Sequence, residues 1–276
     1  MSAKFATYPS LKDRVVFVTG GASGIGADIV RAFHDSGARV AFVDIQDTAG
    51  KALAAELGAL FLHCDLTDIE SLKASIAAVH AALGPIGVLV NNAANDDRHP
   101  IDDVNVDYWD WSQHVNLRPH FFAAQAVRPQ MRELGGGSII NFSSIAWRLG
   151  SDTMAPYATA KSAVIGLTKA LARGFGADNI RVNAIEPGAV MTEKQIADVV
   201  FAAPGEQQAV ALSPRRFLDA ACRFRADPVE NAMADPKPAN PAGDALRLLR
   251  RSLTQAVING QRGQIAAPRV HPVGGQ

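Results

Sequence analysis

Eight residues, Thr19-Gly20-Gly21-Ala22-Ser23-Gly24-Ile25-Gly26, constrain this chain more than any other stretch. They follow Val15-Val16-Phe17-Val18, an apolar run of β-forming residues that reads as a buried strand. Beyond them Ile29, Val30 and Phe33 recur at helical spacing. Strand, glycine-rich turn and helix together make a cradle for phosphate. The glycines let backbone approach a pyrophosphate, and the helix N-terminus offers free N–H groups and a positive dipole end. Gly20, Ser23, Gly24, Ile25 and Gly26 are the expected contacts. A second strand follows, Arg39-Val40-Ala41-Phe42-Val43, closed by Asp44. A carboxylate there can bind the ribose hydroxyls of an adenosine and repel a 2′-phosphate. No Arg or Lys stands in the next six residues. The expected cofactor is therefore NAD.

The pattern repeats. Strands are predicted at 15–19, 39–43, 59–63, 87–91, 137–142 and 180–185. Helices are predicted at 24–36, 47–57, 68–83, 105–134 and 155–176. Gly37, Gly58, Gly84 and Gly176 fall near helix ends, where a left-handed cap is useful. Alternating β and α units imply an α/β fold, a Rossmann-like, doubly wound parallel sheet in a single domain.

Tyr157 and Lys161 carry the chemistry. They stand four residues apart in Tyr157-Ala158-Thr159-Ala160-Lys161, so on a helix they share a face. An ammonium beside a phenol favours the phenolate and lowers a pKa that starts near ~10. Such a tyrosine can exchange a proton with an alcohol. Ser144, thirteen residues upstream, can hydrogen-bond the same substrate oxygen. Ser143 is a rival that fits the spacing less well.

In these motifs the chain resembles the short-chain dehydrogenase/reductase family over residues 10–195. Thr19, Gly20, Gly24 and Gly26 match its glycine pattern, and Asn116, Ser144, Tyr157 and Lys161 match its catalytic tetrad in type and order. The resemblance implies that Asp65, followed by Leu66, contacts the adenine amino group. It implies that Asn92-Ala93 lines the cofactor after the fourth strand, with Ala94 where glycine is usual. It implies that Pro187-Gly188-Ala189-Val190-Met191-Thr192 wraps the nicotinamide, with Thr192 on its carboxamide. By the same token Tyr157 is the general base, Lys161 holds the nicotinamide ribose, Ser144 positions the reacting oxygen and Asn116 holds a proton-relaying water. The segment from Asn92 to His99, Tyr108-Trp109 and Ile145-Ala146-Trp147-Arg148 are similar to the sugar dehydrogenases of this family, which oxidise an aldose at C1. Asn95, Asp96, Arg98 and Trp147, with Ser144 and Tyr157, are then the expected sugar contacts. Two other functions stay open: oxidation or reduction of another secondary alcohol or ketone, such as a 3-oxoacyl thioester, and cofactor binding without turnover. The resemblance also implies a homo-oligomer, dimer or tetramer, paired through the long helix that bears Trp109 and Trp111.

Composition narrows the partners. The 276 residues carry 27 basic and 27 acidic side chains, with no basic run, which argues against nucleic acid. Apolar stretches are strand-length and predict no membrane span. The first ten residues are too polar for a secretory signal. Two cysteines, Cys64 and Cys222, define no framework, so a reducing cytoplasm is the expected compartment. His99, His114 and His120 read as structural, and no His/Cys/Asp set has metal-ligand spacing.

The chain changes character after residue 195. Eight of its fifteen prolines and nine arginines against one lysine lie in the last 81 residues. Residues 227–243 read as loop or disorder, and Ala245 to Val257 as an amphipathic helix. Residues 196–276 therefore form an atypical segment in place of the family's substrate lobe and last strand. It is either a divergent ordered lobe or the product of a shifted coding frame after about Lys194.

Overall fold

The computed structural model describes residues 8–188 together with Val190, Thr192, Lys194 and Gln195. The segment 196–276 and its expected helix lie outside the described residues. Six strands, β1 (Val15–Thr19), β2 (Arg39–Asp44), β3 (Leu60–His63), β4 (Ile86–Asn91), β5 (Gly137–Phe142) and β6 (Ile180–Ile185), form one sheet in the order β3-β2-β1-β4-β5-β6. Every pairing is parallel. Strand order reverses at β1 and β4, so their carboxyl ends open the crevice where such sheets bind ligands. The expected doubly wound α/β sheet is what forms, and the six strands lie within a residue or so of their predicted ends.

Alternation along the strands explains the layers. Val15 and Phe17 pack on one side with Leu72, Ile76, Val127, Met131, Leu171 and Phe175. Val16 and Val18 pack on the other with Ile29, Val30, Phe33 and Leu53. The first set draws on α3 (Ile69–Leu83), α5 (Arg118–Glu133) and α7 (Ala155–Phe175), the second on α1 (Gly24–Asp35) and α2 (Asp47–Leu57). A strand buried on both faces reads as a continuous apolar run, which is why β1 and β4 were legible.

Two expectations need correction. The single helix expected over 105–134 is two, α4 (Val106–Asn116) and α5. Leu117 leaves the helical region at φ −129° and ψ −55°, and Pro119 follows in the first turn of α5. Proline has no N–H for the carbonyl four residues back and its ring crowds that carbonyl, so the hydrogen-bond ladder stops here. A later Pro129 stays inside α5. The second concerns α7, whose end is not capped by a left-handed Gly176: that residue has φ −58°, and Asn179 at φ 55° makes the reversal. A short helix, α6 (Ala146–Leu149), was not predicted.

Candidate active site

The glycine turn is braced from β4. The Thr19 hydroxyl accepts from the N–H groups of Asn92 (3.1 Å) and Ala93 (3.2 Å). In return the Asn92 amide donates to the carbonyls of Thr19 (3.1 Å) and Gly20 (2.9 Å). Gly20 has φ +65°, and a Cβ on it would stand 2.7 Å from Ala93 Cα; on Gly26 it would stand 1.8 Å from the Gly20 carbonyl oxygen. Only glycine fits either position. Ser23 is the N-cap of α1 but makes no side-chain cap; its hydroxyl instead accepts from Gln46 Nε2 at 2.9 Å. The N–H groups that open α1, at Gly24 to Gly26, are thus not tied up by a capping side chain, as an anion site requires. Asp44 ends β2, buried, with one oxygen accepting from Ala22 N–H and the other from Gln46 N–H, both at 3.0 Å. Each carboxylate oxygen keeps a lone pair for a further donor. A cradle that side chains would fill, beside a fixed carboxylate, fits a dinucleotide.

Of the remaining cofactor residues, Asp65 is exposed and its carboxylate accepts from the Thr67 N–H (2.9 Å) and hydroxyl (2.8 Å), while Leu66 is buried. Beyond β6, Thr192 lies over the turn: its methyl would be 3.2 Å from a Cβ on Gly24. Val190 is buried, and Pro187 accepts a backbone hydrogen bond from Ile145 N–H at 3.2 Å. The segment after β6 therefore touches both the cradle and α6.

Tyr157 and Lys161 do share a face of α7. Lys161 is 1% exposed, its Nζ donates to the Phe142 carbonyl at 2.8 Å, and it stands 5.7 Å from the centroid of the Tyr157 ring. Ser144 follows β5 at the same edge; its Oγ accepts from Ala146 N–H at 3.1 Å, and it acts on the Tyr157 phenol. The rival Ser143 is buried, and its hydroxyl donates to the Lys161 carbonyl at 2.6 Å. Burial pushes the Tyr157 phenol up to about 12, with Ser144 pulling it down and Asp96 adding to the rise. Burial brings the Lys161 ammonium down to about 7, opposed by Asp96. This corrects the sequence expectation that the ammonium would dominate and acidify the phenol. Both groups have left water, and desolvation disfavours each charged form.

Asn116, fully buried, has its side chain engaged by Asn95 and by the Ser112 hydroxyl, to which Nδ2 donates at 3.3 Å. Its Oδ1 accepts from Asn95 N–H and its Nδ2 donates to the Asn95 carbonyl, both at 2.9 Å. The helix break after Asn116 places that amide where it pins the segment after β4. The rest of the segment is also engaged. Asn95 Oδ1 accepts from Asp97 N–H (2.9 Å), and Asp96 accepts from Lys194 Nζ (2.6 Å) and Gln195 Nε2 (2.7 Å). Trp147 Nε1 donates to Glu186 at 2.7 Å, and Arg148 pairs with the same carboxylate at 2.9 Å while stacking over the Trp147 ring. Arg98 is exposed. Asp96 acts electrostatically on both Tyr157 and Lys161, which puts it at the edge of the reacting centre.

The description "short chain dehydrogenase" matches residues 14–199, about two thirds of the chain. The chain belongs to the short chain dehydrogenase family. It is 50% identical over 201 residues to "Probable galactose dehydrogenase GalD" of Rhizobium meliloti, covering 71% of this chain and 78% of that protein. It is 47% identical over 211 residues to D-xylose 1-dehydrogenase of Caulobacter vibrioides, covering 75% of this chain and 83% of that protein. D-threitol dehydrogenase of Mycolicibacterium smegmatis is 39% identical over 188 residues, covering 66% and 72%. The protein is thus an oxidoreductase acting on CH–OH groups, and members of the family use NAD or NADP. Among the described residues no group of His, Cys, Asp or Glu could hold a metal, and no helix is long and apolar enough to cross a membrane.

Sequence reasoning missed Glu186, Lys194 and Gln195, whose partners are 38 to 99 residues away. It also missed the buried amide chain in which Asn91 Nδ2 donates to Asn141 Oδ1 (2.9 Å) and Asn141 Nδ2 to the Thr168 hydroxyl (3.0 Å). Polar residues inside strands β4 and β5 were the available sign.

Proposed function

We propose that this protein is an NAD-dependent aldose 1-dehydrogenase, converting the C1 hydroxyl of a sugar to the lactone. The observation that carries the reading is the placing of Tyr157, Lys161 and Ser144 on one edge beside the glycine cradle. The names of the galactose and D-xylose relatives support the substrate class. The Asp44 carboxylate at the end of β2 supports NAD, since a 2′-phosphate there would meet a buried negative charge.

In this reading Gly20, Ser23, Gly24, Ile25 and Gly26 hold the pyrophosphate, Asp44 the adenosine ribose, and Asp65 and Leu66 the adenine. Asn92, Ala93, Pro187, Gly188, Val190 and Thr192 line the nicotinamide end. When bound, the dinucleotide supplies the hydride acceptor. Tyr157 takes the proton of the substrate hydroxyl while Ser144 holds that oxygen. Loss of the phenol proton is costly in isolation at this buried site. The Lys161 ammonium on the same helix face opposes that cost, because opposite charges attract strongly where water is excluded. Lys161 also donates to the nicotinamide ribose. Asn116 acts by fixing Asn95 and so the sugar-facing segment of Asn95, Asp96 and Arg98, with Trp147 opposite.

A panel of pentoses, hexoses and simple secondary alcohols, read by NADH formation, tests the proposal. The highest kcat/KM on a sugar supports it. A preference for a secondary alcohol, or NADH consumption with a 3-oxoacyl thioester, replaces the substrate class, and NAD binding with no turnover on any substrate would sink the enzymatic reading. The apolar side chains shown by α4 and α5, Val106, Trp109, Trp111 and Phe121, support a homo-oligomer built on these helices. A cytoplasmic site of action is part of the same reading.

A further inference from the structure

Glu186 is a buried carboxylate to which the mechanism above gives no part. It stands one residue past β6, its side chain is 5% exposed, and Pro187 and Gly188 follow it. A carboxylate taken out of water is unfavourable unless donors meet it. Here three do. Oε1 accepts from Trp147 Nε1 at 2.7 Å and from Arg148 Nε at 3.2 Å, and Oε2 accepts from the Arg148 guanidinium at 2.9 Å. The guanidinium carbon also lies 4.1 Å from the centroid of the Trp147 ring. A planar fork on a carboxylate is specific in its orientation, so the three side chains fix one another.

What they fix is α6. Its four residues make barely one turn, too few for a helix to hold by itself. Its first N–H, from Ala146, donates to Ser144 Oγ at 3.1 Å, so the placing of α6 decides where that hydroxyl points. The backbone on either side of Ser144 is tied to the same partner. Ser143 N–H donates to the Ile185 carbonyl at 2.8 Å and Ile145 N–H to the Pro187 carbonyl at 3.2 Å, the two-residue step of a parallel ladder carried on beyond β5 and β6. Ser144 stands between these two bonds on one side, and Glu186 stands between them on the other. We propose that Glu186 is a positioning residue of the reaction: through Trp147 and Arg148 it fixes α6, and so aims the Ser144 hydroxyl and sets it relative to Pro187 and Gly188. The inference rests on the roles proposed above for Ser144, which holds the reacting oxygen, and for Pro187 and Gly188, which line the nicotinamide end. Hydride transfer needs those two sides at a fixed separation, and a misplacement of about 1 Å can cost about a hundredfold in rate.

The test is a double-mutant cycle on the full chain, with the sugar of highest kcat/KM. The rate is read as kcat per NAD-binding site, so that a smaller folded fraction does not count as slower chemistry. Glu186→Leu should lower this rate about tenfold or more, with Kd for NAD within about threefold of the wild type. In a Ser144→Ala background the same substitution should lower it no more than about twofold, because the hydroxyl that Glu186 aims is gone. A general loss of packing would act by the same factor in both backgrounds, and that result overturns the proposal, as does a wild-type rate in Glu186→Leu. If Glu186→Leu does not fold, Arg148→Met removes the fork from a side chain 41% exposed and carries the same cycle with the same outcomes. A further readout needs no turnover. The Trp147 indole N–H, picked out from the chain's three tryptophans by its loss in Trp147→Phe, should lie downfield in a proton–nitrogen NMR spectrum and exchange slowly with solvent. Rapid exchange in the wild type means that Glu186 does not hold α6 and overturns the proposal equally. Wild-type turnover by Ser144→Ala alone fells the parent mechanism and this proposal together. A Ser144→Ala protein that is impaired, and further impaired by the full factor on adding Glu186→Leu, fells only the proposal.

Discussion

Individual side chains at this site are set by what burial does to charge. Burial favours the neutral form of Tyr157 and of Lys161 alike. Tyr157→Phe should lower kcat roughly a thousandfold, within the range general bases contribute, with NAD affinity unchanged by calorimetry. Lys161 also leaves a mark on stability. Its pKa in the folded protein, about 7, lies below the unfolded value of about 10.4, so above pH 7 the unfolded chain binds the extra proton. Stability should therefore rise with pH from about 7 toward 10 on account of this residue. Denaturant titrations at pH 7 and pH 9 check this: the gain in the wild type should be larger than in Lys161→Met. Equal gains would mean the lysine is not desolvated as described. On the proposed reading Asp44 binds the adenosine ribose, so Asp44→Ser, which also removes the carboxylate that accepts from Ala22 N–H, should shift the ratio of kcat/KM for NAD over NADP toward NADP by about tenfold or more.

Secondary-structure elements supply the geometry these side chains need. The β1–α1 turn works because backbone passes backbone with no side chain between. Gly26→Ala would put a methyl group 1.8 Å from the Gly20 carbonyl oxygen, and the turn would have to open. NAD affinity should fall at least about tenfold with a lowered melting temperature, the steric cost being of the kind that yields large single-site effects. The segment beyond β6 is tied down at three places: Glu186 to Trp147 and Arg148, Thr192 against Gly24, and Lys194 with Gln195 on Asp96. Lys194 is about half exposed, so its ion pair contributes no more than about 1 kcal/mol. Lys194→Ala should leave the melting temperature within a few degrees while raising KM for substrate; an unchanged KM would show that the tie does not shape the cleft. The break between α4 and α5 matters in the same way, because α4 ends at Asn116, whose amide bonds the Asn95 backbone.

For the whole molecule, the sheet order sets the carboxyl ends of β1 and β4 side by side, and the family match covers residues 14–199. Limited proteolysis with intact-mass measurement separates the two readings of residues 196–276: rapid trimming to about residue 195 would sink the ordered lobe, and a protected full-length chain would sink the shifted frame. The sequence by itself determined the strands, the glycine cradle, Asp44 and the Tyr157–Lys161 spacing, because each is a local pattern written in apolar runs, glycines and a four-residue step. Only the tertiary structure put the Ser143 hydroxyl on the Lys161 carbonyl, raised the Tyr157 phenol through burial, and tied Asp96 to Lys194. Those outcomes depend on burial and on contacts between residues tens of positions apart, and no local pattern carries either.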